Sequence, residues 1–218
     1  MGGKVKSVFL VLFFLSACIA NAQSLNVFKS GSVKLEYRSS PQFYLFNGSD
    51  TPKAGSPGWL MVKVKYSTPS RKKGGKTIWL DDVTMETEVL VPGSYKSKNV
   101  TVLLKGKTVF YSIPLNGKSH IATGCIPPQV IARFARKGNK IEIAKMHARV
   151  TFYTSSRKII KRIYSSSGNR IKGYFKKIDS AVSSGIFTVY DIVMPRNKTP
   201  WNVINYEHYD LIKPDSQR

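Results

Sequence analysis

Chemistry would begin at cysteine, histidine and carboxylate side chains, and the chain carries only two cysteines, Cys18 and Cys125, and three histidines, His120, His147 and His208. An activated nucleophile needs a Ser or Cys beside a histidine that an acid orients. No Gly-x-Ser-x-Gly elbow occurs, and Cys125 has no spacing that selects one histidine over another, so it reads as a small buried hydrophobe. Glycoside hydrolysis would need two carboxylates facing one cleft. Asp81, Asp82, Glu86, Glu88, Asp179, Asp191, Glu207 and Asp210 single out no such pair. Glu207-His208-Tyr209-Asp210 is the densest polar cluster, but it lacks a second histidine at metal-site spacing and reads as a strand end. Walker A, dinucleotide, zinc-ribbon and calcium-loop patterns are all absent from the sequence, so no metal or cofactor is expected and the chain reads as non-enzymatic.

The charge is more informative. Lys and Arg number 35 against 12 Asp and Glu, a formal net charge of +23 spread along the whole chain. Such a field attracts phosphorylated or sulfated glycans, lipopolysaccharide, anionic lipid or nucleic acid, and it also serves solubility. Aromatic residues interleave with basic ones in Lys161-Arg162-Ile163-Tyr164 and Arg170-Ile171-Lys172-Gly173-Tyr174-Phe175-Lys176-Lys177. Stacking plus charge is how sugar rings and single strands are held, which makes Lys161, Arg162, Arg170, Lys172, Lys176 and Lys177 candidate anion-binding residues. Strand alternation that turns aromatics inward and cations outward gives the same pattern with no ligand. The loop from Ser70 to Lys76, with four basic residues and two glycines, is expected to be exposed. Asp81, Asp82, Glu86 and Glu88 are expected to pair with neighbouring cationic strands.

Lys4 and Lys6 precede an apolar run from Val8 to Leu15, the pattern of a secretory signal at residues 1–22. The run is too short for a membrane span. Ala20-Asn21-Ala22 fits ordinary signal cleavage, whereas Leu15-Ser16-Ala17-Cys18 resembles a lipobox, which would make Cys18 the lipidated residue and its lipids the only membrane anchor. Export to the periplasm, outer membrane or cell surface is the expectation. Residues 23–57 then read as an N-terminal arm and linker, rich in glycine and proline from Asn47 to Gly58, and 58–218 as the main domain.

Period-two alternation dominates that domain. Strands are expected at Val33–Tyr37, Trp59–Ser67 and Thr77–Val91, and a hairpin is expected between Val100–Leu104 and Thr108–Ile113 with Lys105-Gly106-Lys107 as its turn. One short helix is expected near residues 127–137, with Pro127 and Pro128 in its first turn and Gly138 at its stop. Lys140–Thr154 reads as one long strand with a bulge or change of sheet, turning at Ser155-Ser156-Arg157 into Lys158–Tyr164. Ile171, Tyr174, Phe175 and Ile178 suit a strand or one helical turn, and Gly185–Met194 a further strand. The fold class is therefore mainly β, an immunoglobulin-like β-sandwich or a partly open β-barrel.

The signal peptide, the all-β body beginning at Gly58-Trp59-Leu60-Met61-Val62, and the terminal Thr199-Pro200-Trp201-Asn202-Val203-Ile204-Asn205-Tyr206-Glu207-His208-Tyr209 together resemble the pilus-like, immunoglobulin-like secreted envelope proteins of verrucomicrobial gut bacteria, which are encoded with type IV pilus components. The resemblance spans about residues 55–215 and implies a sandwich with a structural or adhesive role, partnered by other envelope or pilus proteins or by itself. Gln23–Ser40 lacks the long apolar helix of a prepilin, which points to an associated protein rather than a shaft subunit. The alternative is a binding module for anionic glycan, with nucleic acid as a weaker candidate.

Overall fold

Alternating side chains give each sheet one dry face, and two such faces close on one another. The computed structural model describes residues 27–39, 58–95, 98–137, 140–141, 143–166, 168–180, 186–189, 191–203 and 211–214. In chain order the strands are β1 (Gly31–Ser39), β2 (Gly58–Ser67), β3 (Lys72–Lys73), β4 (Lys76–Thr77), β5 (Trp79–Tyr95), β6 (Lys98–Pro114), β7 (Ser119–Ile126), β8 (Arg136–Lys137), β9 (Lys140–Ile141), β10 (His147–Tyr153), β11 (Ile159–Tyr164), β12 (Ile186–Val189) and β13 (Met194–Pro195). The α-helices are α1 (Pro128–Val130) and α2 (Asn169–Asp179).

One sheet has the order β1-β2-β7-β13 and the other β11-β10-β5-β6-β12, with β12 running parallel to β6. Neither closes into a barrel, and the architecture is a β-sandwich. Leu60, Val62, Val64 and Tyr66 from the first sheet share one core with Val83, Met85, Val89, Val150 and Phe152 from the second. Aromatic rings bridge the layers: Tyr66 lies 5.0 Å from Phe152, and Phe28 stacks on Tyr66 at 4.8 Å. β1, the strand expected in the N-terminal arm, pairs with β2 from Gly31 to Ser39 and buries Val33 in this core.

The expected hairpin at Lys105-Gly106-Lys107 does not exist. β6 runs unbroken from Lys98 to Pro114 and pairs with β5 along its length except at Asp82 and Tyr111, placing Gly106 opposite Thr87 in mid-strand. The glycine is there for space. After β12 the chain crosses from the second sheet to the first, and the amides of Ile192 and Val193 donate to the Lys105 carbonyl on the way, at 2.9 and 3.1 Å. A Cβ on Gly106 would lie 1.9 Å from the Val193 carbonyl oxygen, and one on Gly124 in β7 would lie 2.8 Å from Val193 Cγ1. Glycine on both strands opens the slot through which Val193 passes, a close backbone approach of the kind that places glycine inside a strand.

Other expectations shift with the packing. The helical segment after Pro127 is the short α1 running into a π-helix at Ile131–Ala135. Lys140–Thr154 is not one strand: β9 stops at Ile141, a 3-10 turn occupies Ile143–Lys145, and β10 begins at His147. Its hairpin partner is β11, through a turn in which Arg157 has φ 60°. The piece containing Ile171, Phe175 and Ile178 is a three-turn helix, α2, rather than a strand or single turn. Gly185–Met194 divides between β12 and β13, which belong to different sheets.

Two glycine substitutions should have opposite signs. Gly106→Ala forces a methyl onto backbone, and overpacking of this kind costs about 1–3 kcal/mol. Gly173→Ala in α2, where an added Cβ meets nothing within 4 Å, should stabilise by about 0.5–1 kcal/mol. Equilibrium urea unfolding of the two variants beside the parent checks both.

Candidate functional site

Ile171, Phe175 and Ile178 recur at helical spacing, so α2 has one apolar stripe, and it lies on the outer face of the five-stranded sheet against Leu90, Leu103 and Tyr164. Lys176 and Lys177 occupy its last turn, where cations suit the helix dipole. Between helix and sheet sits Arg149 of β10, 4% exposed. Its Nε donates to the Glu88 carboxylate of β5, while Nη1 and Nη2 donate to the two oxygens of Asp179 in α2, both at 2.7 Å. The guanidinium lies 4.7 Å from the centre of the Phe175 ring. Lys105 of β6 approaches the other oxygen of Glu88 at 2.7 Å.

Burial alone would push the Arg149 pKa down, but the hydrogen bonds and charges of Asp179 and Glu88 outweigh it and hold the group above its usual range. Arg149 in turn holds the Asp179 carboxyl below the ordinary carboxylate value. The planar fork matches one carboxylate edge-on and leaves Nε for the second, a geometry lysine does not offer. This chemistry fastens a helix to a sheet. The expected pairing of the acidic stretch with cationic strands is thus present at Glu86 and Glu88, and Asp82 is held by Lys213.

Among the described residues His120 is the buried histidine. Its Nε2 lies 3.3 Å from Thr68 Oγ1 and 3.2 Å from Asn116 Oδ1, and burial, with the nearby Lys118 charge, lowers its pKa. Alternation along β7 puts His120 on the core face with Ala122 and Gly124 and turns the buried Cys125 the other way, so those two do not form a nucleophile and base. His147 stands beside a cleft of about 490 Å³ under the first turn of α2, with Leu90, Pro92, Lys145, Ser166 and Tyr174. The linear sequence signals this cleft only through Tyr174 within the basic stretch. Among the described residues no group of three or more His, Cys, Asp or Glu could hold a metal ion. Cys18, His208 and the Glu207–Asp210 cluster lie outside the described residues.

The six candidate anion-binding residues do not share one surface. Arg162 of β11 is exposed on the face that α2 covers, with Tyr164, and lies close enough to Asp179 to lower its pKa. Lys172, Lys176 and Lys177 are exposed on α2, the first two one turn apart. Lys161 pairs opposite Phe152 on the core side of β11 and is half-buried. Arg170 lies in the first turn of α2, and its side chain is outside the described residues. Of the interleaved aromatics, Phe175 is fully buried whereas Tyr174 is exposed.

A protein-family model matches residues 20–216. No curated protein matches the chain. A crystal structure of a protein from Akkermansia muciniphila, a verrucomicrobial gut bacterium, superposes with a TM-score of 0.60 at 19% identity, covering 85% of this chain and 94% of that one. The shared fold is what that likeness shows. Spo0M, a sporulation control protein from Bacillus subtilis, aligns over 70% of this chain and 56% of its own with 10% identity and a TM-score of 0.20, too low to equate the folds.

Removing Arg149 leaves Glu88 buried beside Lys105 alone, and breaking a buried pair in this way costs about 3–5 kcal/mol. Arg149→Met should lose that much in urea unfolding, and Arg149→Met with Glu88→Leu should recover part of it. The folded Asp179 pKa is depressed, so its contribution is complete above the ordinary value of 3.8 and is lost as pH falls from there through the folded value. Asp179→Asn should therefore be less stable at neutral pH and show a flatter acid limb in stability measured against pH.

Proposed function

The chain belongs to the family whose model spans residues 20–216, and from that premise we propose that it is an exported, non-enzymatic protein of the bacterial cell envelope, structural or adhesive in role and associated with type IV pili. The observation that carries this reading is where Arg149, Glu88 and His120, three of the buried ionisable groups among the described residues, are spent. Arg149 and Glu88 are consumed in fastening α2 to the sheet, and His120 is tied into the core beside Thr68 and Asn116. Catalytic groups are instead poised towards a place where substrate can sit. Family membership supports an envelope or pilus-related assignment, and the leader at residues 1–22 supplies the route out of the cytoplasm.

In this reading the leader is removed on export, either after Ala22 or before a lipidated Cys18. The domain then engages another envelope or pilus protein, or a second copy of itself, through a sheet edge or an exposed patch. Such contacts rest largely on backbone pairing and apolar burial and persist in salt, whereas binding to a polyanion falls steeply as salt rises.

Fractionation of expressing cells, followed by chemical cross-linking of the envelope fraction at physiological salt, tests this. Recovery in the envelope with discrete protein cross-links that survive a rise in salt is the expected outcome. Recovery in the cytoplasm contradicts the reading, and so does an envelope protein whose only binding is to anionic glycan or DNA and is erased by salt. Palmitate labelling of the parent and of Cys18→Ala separates the two leader fates: label on the parent alone marks a lipoprotein.

A further inference from the structure

Four of the 35 basic residues stand together on a finger. β3 and β4 form a hairpin around Gly74-Gly75, with Lys72 opposite Thr77 and Lys73 opposite Lys76. Both glycines have positive φ, 56° and 78°, the two-residue turn whose twist matches its strands. The base of the finger is fixed: the Ile78 amide donates to the Arg71 carbonyl at 3.0 Å, and the Arg71 and Leu115 amides donate to the carbonyls of Leu115 and Ile78 at 2.8 and 2.9 Å. The tip is free, since a Cβ built on either glycine meets no atom within 4 Å.

This arrangement works against folding. Lys73 and Lys76 face each other directly across the hairpin, and like charges so placed destabilise it. Register puts Arg71 and Ile78 on the same face, while Lys72 sits on the other. Among the described residues no carboxylate pairs with Arg71, Lys72, Lys73 or Lys76. Asp82, a nearby acid in β5, is held by Lys213. Cations gathered on an anchored hairpin, with no carboxylate paired to them among the described residues, suit an external anion.

The apolar surface narrows the choice. Six large hydrophobic side chains are exposed among the described residues, and Ile78, Trp79, Tyr111 and Leu211 are four of them. All four lie at the end of the β5–β6 pair from which the finger springs, Tyr111 being bonded through its amide to the Leu211 carbonyl. Ile78 and Trp79, at 37% and 48% exposure, follow the hairpin directly. An anionic sugar polymer would reward the cations and the tryptophan ring, but nothing in it rewards an exposed isoleucine. A lipid headgroup layer rewards all three, because cations meet phosphate while tryptophan and aliphatic side chains enter the interface.

We propose that the Arg71–Trp79 hairpin and its base form a docking surface for an anionic lipid bilayer, with Arg71, Lys72, Lys73 and Lys76 on headgroup phosphates and Ile78 and Trp79 at the interface. The surface stands on its own residues and is independent of which envelope protein the domain partners.

The test uses the exported chain carrying Cys18→Ala, so that no acyl chain at that residue contributes. Binding is measured at physiological salt to phosphatidylcholine vesicles with and without 30% phosphatidylglycerol. The expected result is binding that requires the anionic lipid, with a blue shift in tryptophan fluorescence that Trp79→Phe removes. Replacing Arg71, Lys73 and Lys76 by Gln should weaken binding on the order of 100-fold, each cation near such a surface contributing about fivefold. The same three charges removed from α2, by Lys172→Gln, Lys176→Gln and Lys177→Gln, should cost far less. Thermal melting keeps the result interpretable, because removing the Lys73–Lys76 repulsion should not lower stability. An equal loss in the α2 variant overturns the proposal by assigning binding to net charge. Absence of vesicle binding at physiological salt overturns it as well, and so does finger-dependent binding of a soluble sulfated dextran with no vesicle binding, which makes the partner a polymer.

Discussion

A buried guanidinium stays buried only where carboxylates offset its charge, and Arg149 sets that condition for one whole side of this protein. It needs Glu88 from β5 and both oxygens of Asp179 from α2, so the helix can sit in one place only. The apolar contacts of Ile171 and Phe175 with Leu90 and Leu103 bring helix and sheet together, but apolar contact is non-directional and would tolerate a rotated or shifted helix. The bidentate pair supplies direction. Position in turn decides what is exposed: with the apolar stripe and Asp179 turned to the sheet, Lys172, Lys176 and Lys177 face water. The basic face of α2 is thus a consequence of how its other face is fastened.

The opposite problem, passing chain between two packed sheets, is solved by removing side chains. Val193 carries the chain from β12 to β13 through a slot made by Gly106 and Gly124, and its own side chain is buried in the core there. The two sheets are thereby joined through the core as well as around it. Together the slot and the Arg149 cluster account for polar and small residues at positions where a plain sandwich would carry branched apolar ones. Both are matters of architecture, and the buried charge of Arg149 and Glu88 serves the contact between helix and sheet.

Much of the fold was legible, and the failures have physical causes. Alternation located β2, β5 and the β10–β11 hairpin because each has one dry face, and of the acidic residues of β5, Asp82, Glu86 and Glu88 meet cationic neighbours. Lys105-Gly106-Lys107 was misread as a turn because a glycine between lysines has the local chemistry of a turn, and the demand it meets comes from Val193, far away in the chain. α2 was read as a strand or single turn because Gly173 and Tyr174 interrupt a short apolar stripe whose helical state depends on the sheet beneath it. The outward-facing cations on α2 could be read from the sequence, whereas the face of Lys161 depended on the pairing of β11 with β10. The role of Arg149 leaves no signal in the linear sequence, since its partners lie on two other elements.

Amide hydrogen exchange of the parent and of Asp179→Asn tests most directly whether the Arg149 pair holds the helix. Asparagine keeps the size of the side chain and removes the charge. If the pair fastens α2, its amides lose at least tenfold in protection while those of β2 and β7 in the far sheet stay unchanged. Equal protection of α2 in the two proteins would contradict the account, leaving the helix held by apolar contact alone.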